Sequence, residues 1–306
     1  MIGSDIPSWM ASAVLAPPGK VTRRAATEPA DTGHRAEPAP PPPHDPRTNA
    51  AGPSGLIETS PREAIDLEIV IPALNEERRI GATIEATVAY LERQRYRAAL
   101  VVVDNGCVDH TADVVAELGA RAAIPIHLTN CSRRGKGAAV RQGILTSRAR
   151  YVGFCDADLA TPVETLDWVW PALEQGASVV IASRYCEGAA RLCPQPLGRQ
   201  LGGALFRALA GRLLPGVADT QCGFKFFEGT VARQLLSRCT IDGFAFDLEL
   251  LLTARAAGLG VQEVPVAWSD RTGSAFHPLR DGARSMADAL LLARRHDAVV
   301  LRPGDG

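Results

Sequence analysis

The chain has 306 residues, 46% of them hydrophobic and 22% charged, with a formal net charge of −1. This length suits one large α/β domain or two small ones, and the neutral balance gives no electrostatic reason to expect nucleic acid as a partner. No stretch reaches the roughly 18 apolar residues of a membrane helix, so the expectation is a chain at most peripheral to a membrane.

Residues 1–62 are rich in Pro, Ala and Gly, with the run Pro38-Ala39-Pro40-Pro41-Pro42-Pro43. Few large apolar side chains occur there to offset ordering entropy, which predicts a disordered tail before a folded domain over 63–300. Met10 to Ala16 is apolar but lacks a basic flank, so it does not read as a signal peptide. Seven cysteines (107, 131, 155, 186, 193, 222 and 239) form no C-x-x-C pair, which predicts reduced, structural thiols in a cytoplasmic protein.

Strand and helix signals then alternate. A strand over 67–72 is followed by a helix that Asn75 can cap, running to about Gln94. A strand at 100–104 precedes a helix begun by Asp109, and a third strand is expected at 122–128. The basic loop Arg133-Arg134-Gly135-Lys136-Gly137 leads into a helix over 138–147. Next come a strand at 151–155, a helix at 162–173 and a strand at 178–183. The remainder predicts helices at 201–214, from 244 and over 281–295, with a strand at 261–268. Strands alternating with helices imply right-handed crossovers and a mainly parallel, Rossmann-like sheet, whose ligands collect at the carboxyl ends of the strands.

Polar clusters fall at those ends: Asn75-Glu76, Asp104-Asn105, Asp156-Ala157-Asp158 and Ser183-Arg184. The carboxylates of Asp156 and Asp158, two residues apart off a strand end, reach one side of the rim. They can hold a hard divalent cation on a nucleotide diphosphate, since such cations keep few protein ligands. A D-x-D tripeptide by itself is common in idle loops; four clusters on one rim favour a nucleotide site. Asp247 and Glu249 are charges embedded in apolar sequence and need partners. Asp219 and Lys225 read either as a structural ion pair or as site residues.

At IVIPALNEE (69–77), VVVDNG (101–106), RRGKGAAVRQG (133–143), FCDADLATP (154–162), IASRY (181–185), DTQCGFKFF (219–227), FAFDLELL (244–251) and VPVAW (264–268), followed by Gly273-Ser274, the chain resembles glycosyltransferase family 2. The resemblance is nearest to the dolichyl-phosphate β-glucosyltransferase and polyprenyl-phosphate hexose synthase branch. It implies the glycosyltransferase A-type fold and inverting transfer of a hexose, glucose being expected, from a nucleotide-diphosphate sugar such as UDP-glucose. It also implies that Pro72, Asn75 and Glu76 line the nucleotide pocket, Asp104 meets base or ribose, and Lys136 lies near the donor. Asp156 and Asp158 would hold Mg²⁺ or Mn²⁺. Arg184, at the donor, and Arg199 would face the acceptor, with Gln221 beside it. Asn105 departs from the family, which usually has a second acid there, and Gly203 stands near where the mannose synthases carry serine. Eukaryotic glucosyl relatives have an N-terminal membrane anchor, whereas this tail is polar.

The acceptor stays open between polyprenyl phosphate and a soluble hydroxyl compound such as a nucleoside. A phosphate oxygen needs no strong base; a hydroxyl does, and Asp247 is the candidate, with Asp242 and Glu249 as alternatives. The other reading is a sugar-nucleotide-binding or nucleotidyltransferase protein on the same fold. Such transferases usually carry a Gly-rich loop after the first strand, and Pro72-Ala73-Leu74-Asn75 offers none.

Overall fold

Each strand sends alternate side chains to opposite faces, and that period of two builds two cores. In β1 (Leu67–Ala73), Leu67, Ile69 and Ile71 enter one core while Val70 enters the other. β2 (Ala98–Asp104), β4 (Tyr151–Cys155) and β5 (Val179–Ser183) divide in the same way. Helices α1 (Ile80–Leu91), α2 (Thr111–Arg121) and α4 (Leu166–Glu174) cover the first face with Ile84, Val115 and Val169. Helices α3 (Lys136–Thr146), α6 (Gly229–Leu236) and α7 (Phe246–Ala256) cover the second with Ile144, Leu235 and Leu250. Each large apolar side chain buried this way contributes about 1.5–3 kcal/mol.

The computed structural model describes residues 64–191, 197–269 and 278–300. The tail expected at 1–62, Cys193 and the Gly273-Ser274 match lie outside them. Among the described residues the main sheet has the order β3-β2-β1-β4-β7-β5-β8, with β3 at Ile126–Asn130, β7 at Phe224–Glu228 and β8 at Gln262–Pro265. All neighbours are parallel except β7, which runs antiparallel between β4 and β5. The order reverses at β1 and β4, and that switch point opens a crevice at their carboxyl ends. β6 (Ala190–Arg191) and β9 (Ala267–Trp268) form a second, two-stranded ladder. α5 (Leu197–Leu213) packs on α8 (Pro278–Val300). No described helix is long and apolar enough to cross a membrane.

The mainly parallel α/β architecture matches the expectation; several local assignments do not. α1 starts at Ile80 rather than at Asn75, which adopts a left-handed φ of 55° and accepts a hydrogen bond from Val108 N instead of capping a helix. β3 begins after Pro125, four residues later than expected, because proline offers no N–H and its carbonyl accepts from Leu100 N as the ladder opens. The 261–268 segment is two strands in different sheets, separated by Val266. β7 had no strand assignment in the sequence reading. Phe226 and Phe227 nonetheless bury on opposite faces, as a central strand requires.

Candidate active site

The crevice widens into a cleft of about 800 Å³, lined by Pro72 at the end of β1, Asn105 after β2, Lys136 opening α3, Asp156 and Asp158 after β4, and Arg184 after β5. The expected pocket residues Glu76 and Gln221 line it too. Asn75, Asp104 and Asp247 do not. Arg199 lies in α5, and its side chain is outside the described residues.

The acidic centre is tightly built. Lys136 Nζ lies 2.6 Å from Asp156 Oδ1. Burial works against the lysine's charge, but Asp156, Asp247 and Asp158 outweigh it and hold its pKa above the ordinary value. Asp158 Oδ1 accepts from Ala160 N at 3.0 Å. Burial, and then the neighbouring Asp156 charge, push the Asp158 carboxyl up. Burial also pushes up Glu76, which Arg79 grips through two hydrogen bonds of 2.7 and 2.8 Å while Asp158 and Asp156 repel it. Gly223 packs directly on Asp156: its carbonyl accepts from Asp156 N at 3.1 Å, and a Cβ at Gly223 would overlap the carboxylate.

These oxygens suit a hard divalent cation, whose charge would relieve the repulsion that raises Asp158. No cluster of three or more His, Cys, Asp or Glu capable of holding a metal occurs among the described residues. Two carboxylates alone do not fill the shell of such a cation, which would take its remaining oxygens from water or a ligand.

Other expected roles are redistributed by pairing across the sheet. Asp219 does not pair with Lys225. Its carboxylate accepts from Arg184 Nε at 2.7 Å, Nη2 at 2.8 Å and N at 3.0 Å, and these bonds hold its pKa below the ordinary range despite burial. Arg184 therefore enters the cleft with its fork already engaged, its guanidinium 5.4 Å from the Trp268 ring centre. Lys225 pairs instead with Asp247, at 2.5 Å, with the two residues 0% and 2% exposed. Burial raises the Asp247 carboxyl, and Lys225 and Lys136 pull it back. Asp247, expected as the general base, is thus buried against Lys225 and does not line the cleft. Asp242 is paired with Arg133 and Arg141, and Glu249 accepts from Thr240 N and Ile241 N. Asp104 Oδ1 accepts from Gly106 N and Cys107 N, which forms the turn after β2 rather than a wall of the cleft.

Several cleft residues escaped the sequence reading. Tyr185, Arg207, Arg284 and Trp268 line the end away from β1, and Arg207 stacks 4.6 Å above the Tyr185 ring. The signals available were a basic residue in the apolar helix for Arg207, and the IASRY and VPVAW segments for Tyr185 and Trp268. Asn105 stands in the sequence as part of the Asp104-Asn105 polar cluster, and Gly223 as part of the DTQCGFKFF segment.

The site can be set beside known proteins. The glycosyl transferase family 2 model matches residues 68–227. A dolichyl-phosphate beta-glucosyltransferase of Drosophila melanogaster is 32% identical over 250 residues, covering 76% of each chain. One from Trichomonas vaginalis is 34% identical over 212 residues, 66% of this chain; the match spans 63% of that relative's own length. Among solved structures, glucosyl-3-phosphoglycerate synthase from Mycobacterium tuberculosis, in complex with Mn²⁺ and UDP-glucose, superposes with a TM-score of 0.58 at 21% identity. That likeness covers 74% of this chain and 78% of the other, and bears on the fold alone. The family model spans more than half of the chain, and a relative 32% identical is matched over three quarters of its length: this chain belongs to glycosyl transferase family 2.

Proposed function

We propose that the chain is a metal-dependent, inverting glucosyltransferase that moves glucose from UDP-glucose onto the phosphate of a polyprenyl phosphate. The observation that carries this reading is the Lys136–Asp156–Asp158 cluster in a cleft whose far end is basic. Asp156 and Asp158 would hold Mg²⁺ or Mn²⁺ together with the donor's diphosphate oxygens. The cation, when bound, supplies charge that stabilises the departing nucleotide diphosphate. Lys136, kept protonated by Asp156 and Asp247, adds a second positive charge on the same side. Glu76 and Pro72 wall the nucleotide end.

At the opposite end Arg207, Arg280 and Arg284 outnumber one carboxylate, Asp281, which is 3.0 Å from Arg280 Nε. An anionic acceptor suits that excess, because guanidinium forks match phosphate oxygens. The acceptor oxygen is then already a nucleophile, and positioning opposite the leaving group does most of the remaining work. Asp247, enclosed with Lys225, is consistent with a transfer that needs no general base. The helices α5 and α8 that border this end also expose Leu205, Leu290 and Leu291, which supports an acceptor with an apolar tail. The free thiols of Cys155, Cys222 and Cys239 support a cytoplasmic setting.

The test is transfer of radiolabelled glucose from UDP-glucose to polyprenyl phosphate, beside a panel of soluble alcohols and nucleosides, with Mn²⁺ and with excess EDTA. Lipid-linked product that requires the metal is expected. Transfer to hydroxyl compounds alone, or undiminished transfer in EDTA, would overturn the reading.

A further inference from the structure

Asn105 is 4% exposed and lines the cleft. Its backbone N–H donates to Ala73 O at 2.9 Å, which ties it to the end of β1. Its side chain grips the basic loop. Nδ2 donates to Arg133 O at 2.7 Å, and Oδ1 accepts from Gly135 N at 2.7 Å. A carbonyl can only accept and an N–H can only donate, so these partners also fix which way round the amide lies.

The same short loop is held from its other side. Arg133 pairs with Asp242 at 2.6 Å. Gly135, at φ 132°, lies so close to the Asp242 carbonyl that a Cβ would strike it. Cys131 closes the start of the loop, donating from its N–H to Asp104 O at 2.7 Å. Two cleft cations leave this clamped segment. Arg134 lies beside Gly106, and Lys136 follows Gly135 directly and reaches Asp156.

We infer that Asn105 is a positioning residue for the donor: its amide pins the Arg133–Gly135 backbone and so aims Arg134 and Lys136 at the nucleotide diphosphate. This inference rests on the nucleotide-sugar donor proposed above. An amide is required because the loop presents one acceptor and one donor in adjacent positions. Aspartate keeps the Gly135 bond but sets a carboxylate oxygen against the Arg133 carbonyl, where no proton is available to share.

Asn105→Asp and Asn105→Ala, made in the full chain, test the inference. UDP affinity is measured by calorimetry with Mn²⁺, the KM and kcat for UDP-glucose separately, and backbone amide hydrogen exchange without any ligand. Both variants should weaken UDP binding about tenfold to a hundredfold, the range expected from one or two lost buried hydrogen bonds. The donor KM should rise more than kcat falls. In a Lys136→Ala background the same substitutions should cost much less, since the effect passes through the loop's cations. Faster exchange at Gly135, with the sheet unchanged, reports the released clamp whichever nucleotide the protein uses. If UDP fails to bind the unmodified chain, the donor reading falls while exchange at Gly135 still decides the clamp. Unchanged Gly135 exchange in both variants overturns the inference. So does UDP affinity within twofold of the unmodified chain, or tighter binding by Asn105→Asp, which would mean that residue 105 meets the nucleotide itself.

Discussion

Replacing Gly223 with alanine tests whether the Asp156 carboxylate must stand where the structure has it. Gly223 is not in the left-handed region, so alanine meets no backbone penalty; the conflict is purely with Asp156, whose Cγ and both carboxylate oxygens occupy the space a Cβ needs. The carboxylate is the end of a short side chain and can rotate away, so the fold should survive. Overpacking of this kind costs about 1–3 kcal/mol, and the lower part of that range applies where the neighbour can move. At roughly 2–4 °C per kcal/mol for a domain of this size, the melting temperature should fall by only a few degrees. Function should suffer far more. Rotation breaks the 2.6 Å contact with Lys136 and would displace one of the two carboxylates proposed to hold the cation. Disturbing groups that orient metal ligands typically costs about 10–100-fold in metal affinity, and displacing a ligand itself should reach at least the upper value. Calorimetry of Mn²⁺-dependent UDP binding, with glucose transfer at saturating Mn²⁺, measures both. Wild-type Mn²⁺ affinity and transfer in a folded Gly223→Ala variant would refute the reasoning, because the cation could then not depend on this placement of Asp156.

Asp158→Ala should abolish Mn²⁺-dependent UDP binding while leaving the metal-free melting temperature unchanged or slightly raised, since burial and Asp156 both disfavour the charged Asp158; thermal shift with and without Mn²⁺ checks it. Asp219→Ala strands the buried Arg184 and should cost about 3–5 kcal/mol at pH 7. Asp219 has a lowered pKa in the folded state, so its contribution is present above the unfolded carboxylate value and fades as pH falls through the folded one. The stability gap in urea between the unmodified chain and Asp219→Ala should therefore hold from neutral pH down to about 4 and close only below that; a gap that widens on acidification contradicts it. Asp247→Asn should lower stability by unbalancing Lys225 and reduce turnover on polyprenyl phosphate by about tenfold or less. A loss of roughly 10²–10⁴-fold in a variant with normal melting would restore Asp247 as a general base.

Local chemistry made much of this molecule legible in the linear sequence. The short continuous apolar runs at 67–72, 100–104, 151–155 and 178–183 read as strands buried on both faces, and the helices between them imply a mainly parallel sheet. That arrangement sends Glu76, Asp156, Asp158 and Arg184 to one rim, so much of the cleft's lining is legible beforehand. Gly135 and Lys136 were likewise visible as a basic turn opening a helix. What remained hidden depends on contacts between residues far apart in the chain. β7 is short, and only insertion between β4 and β5 makes it a central strand. Asp219 lies near Lys225 in sequence, yet the antiparallel run of β7 carries Lys225 toward Asp247, while Asp219 stays at the rim with Arg184. Asn75 and Asp247 have the residue types a site uses, yet their side chains bond to Val108 N and Lys225 Nζ, partners far off in the chain that no local pattern reveals. Periodicity and turn preference are properties of a few consecutive residues. Which charges meet is decided by the order and direction of the strands, and that order exists only once the sheet has formed.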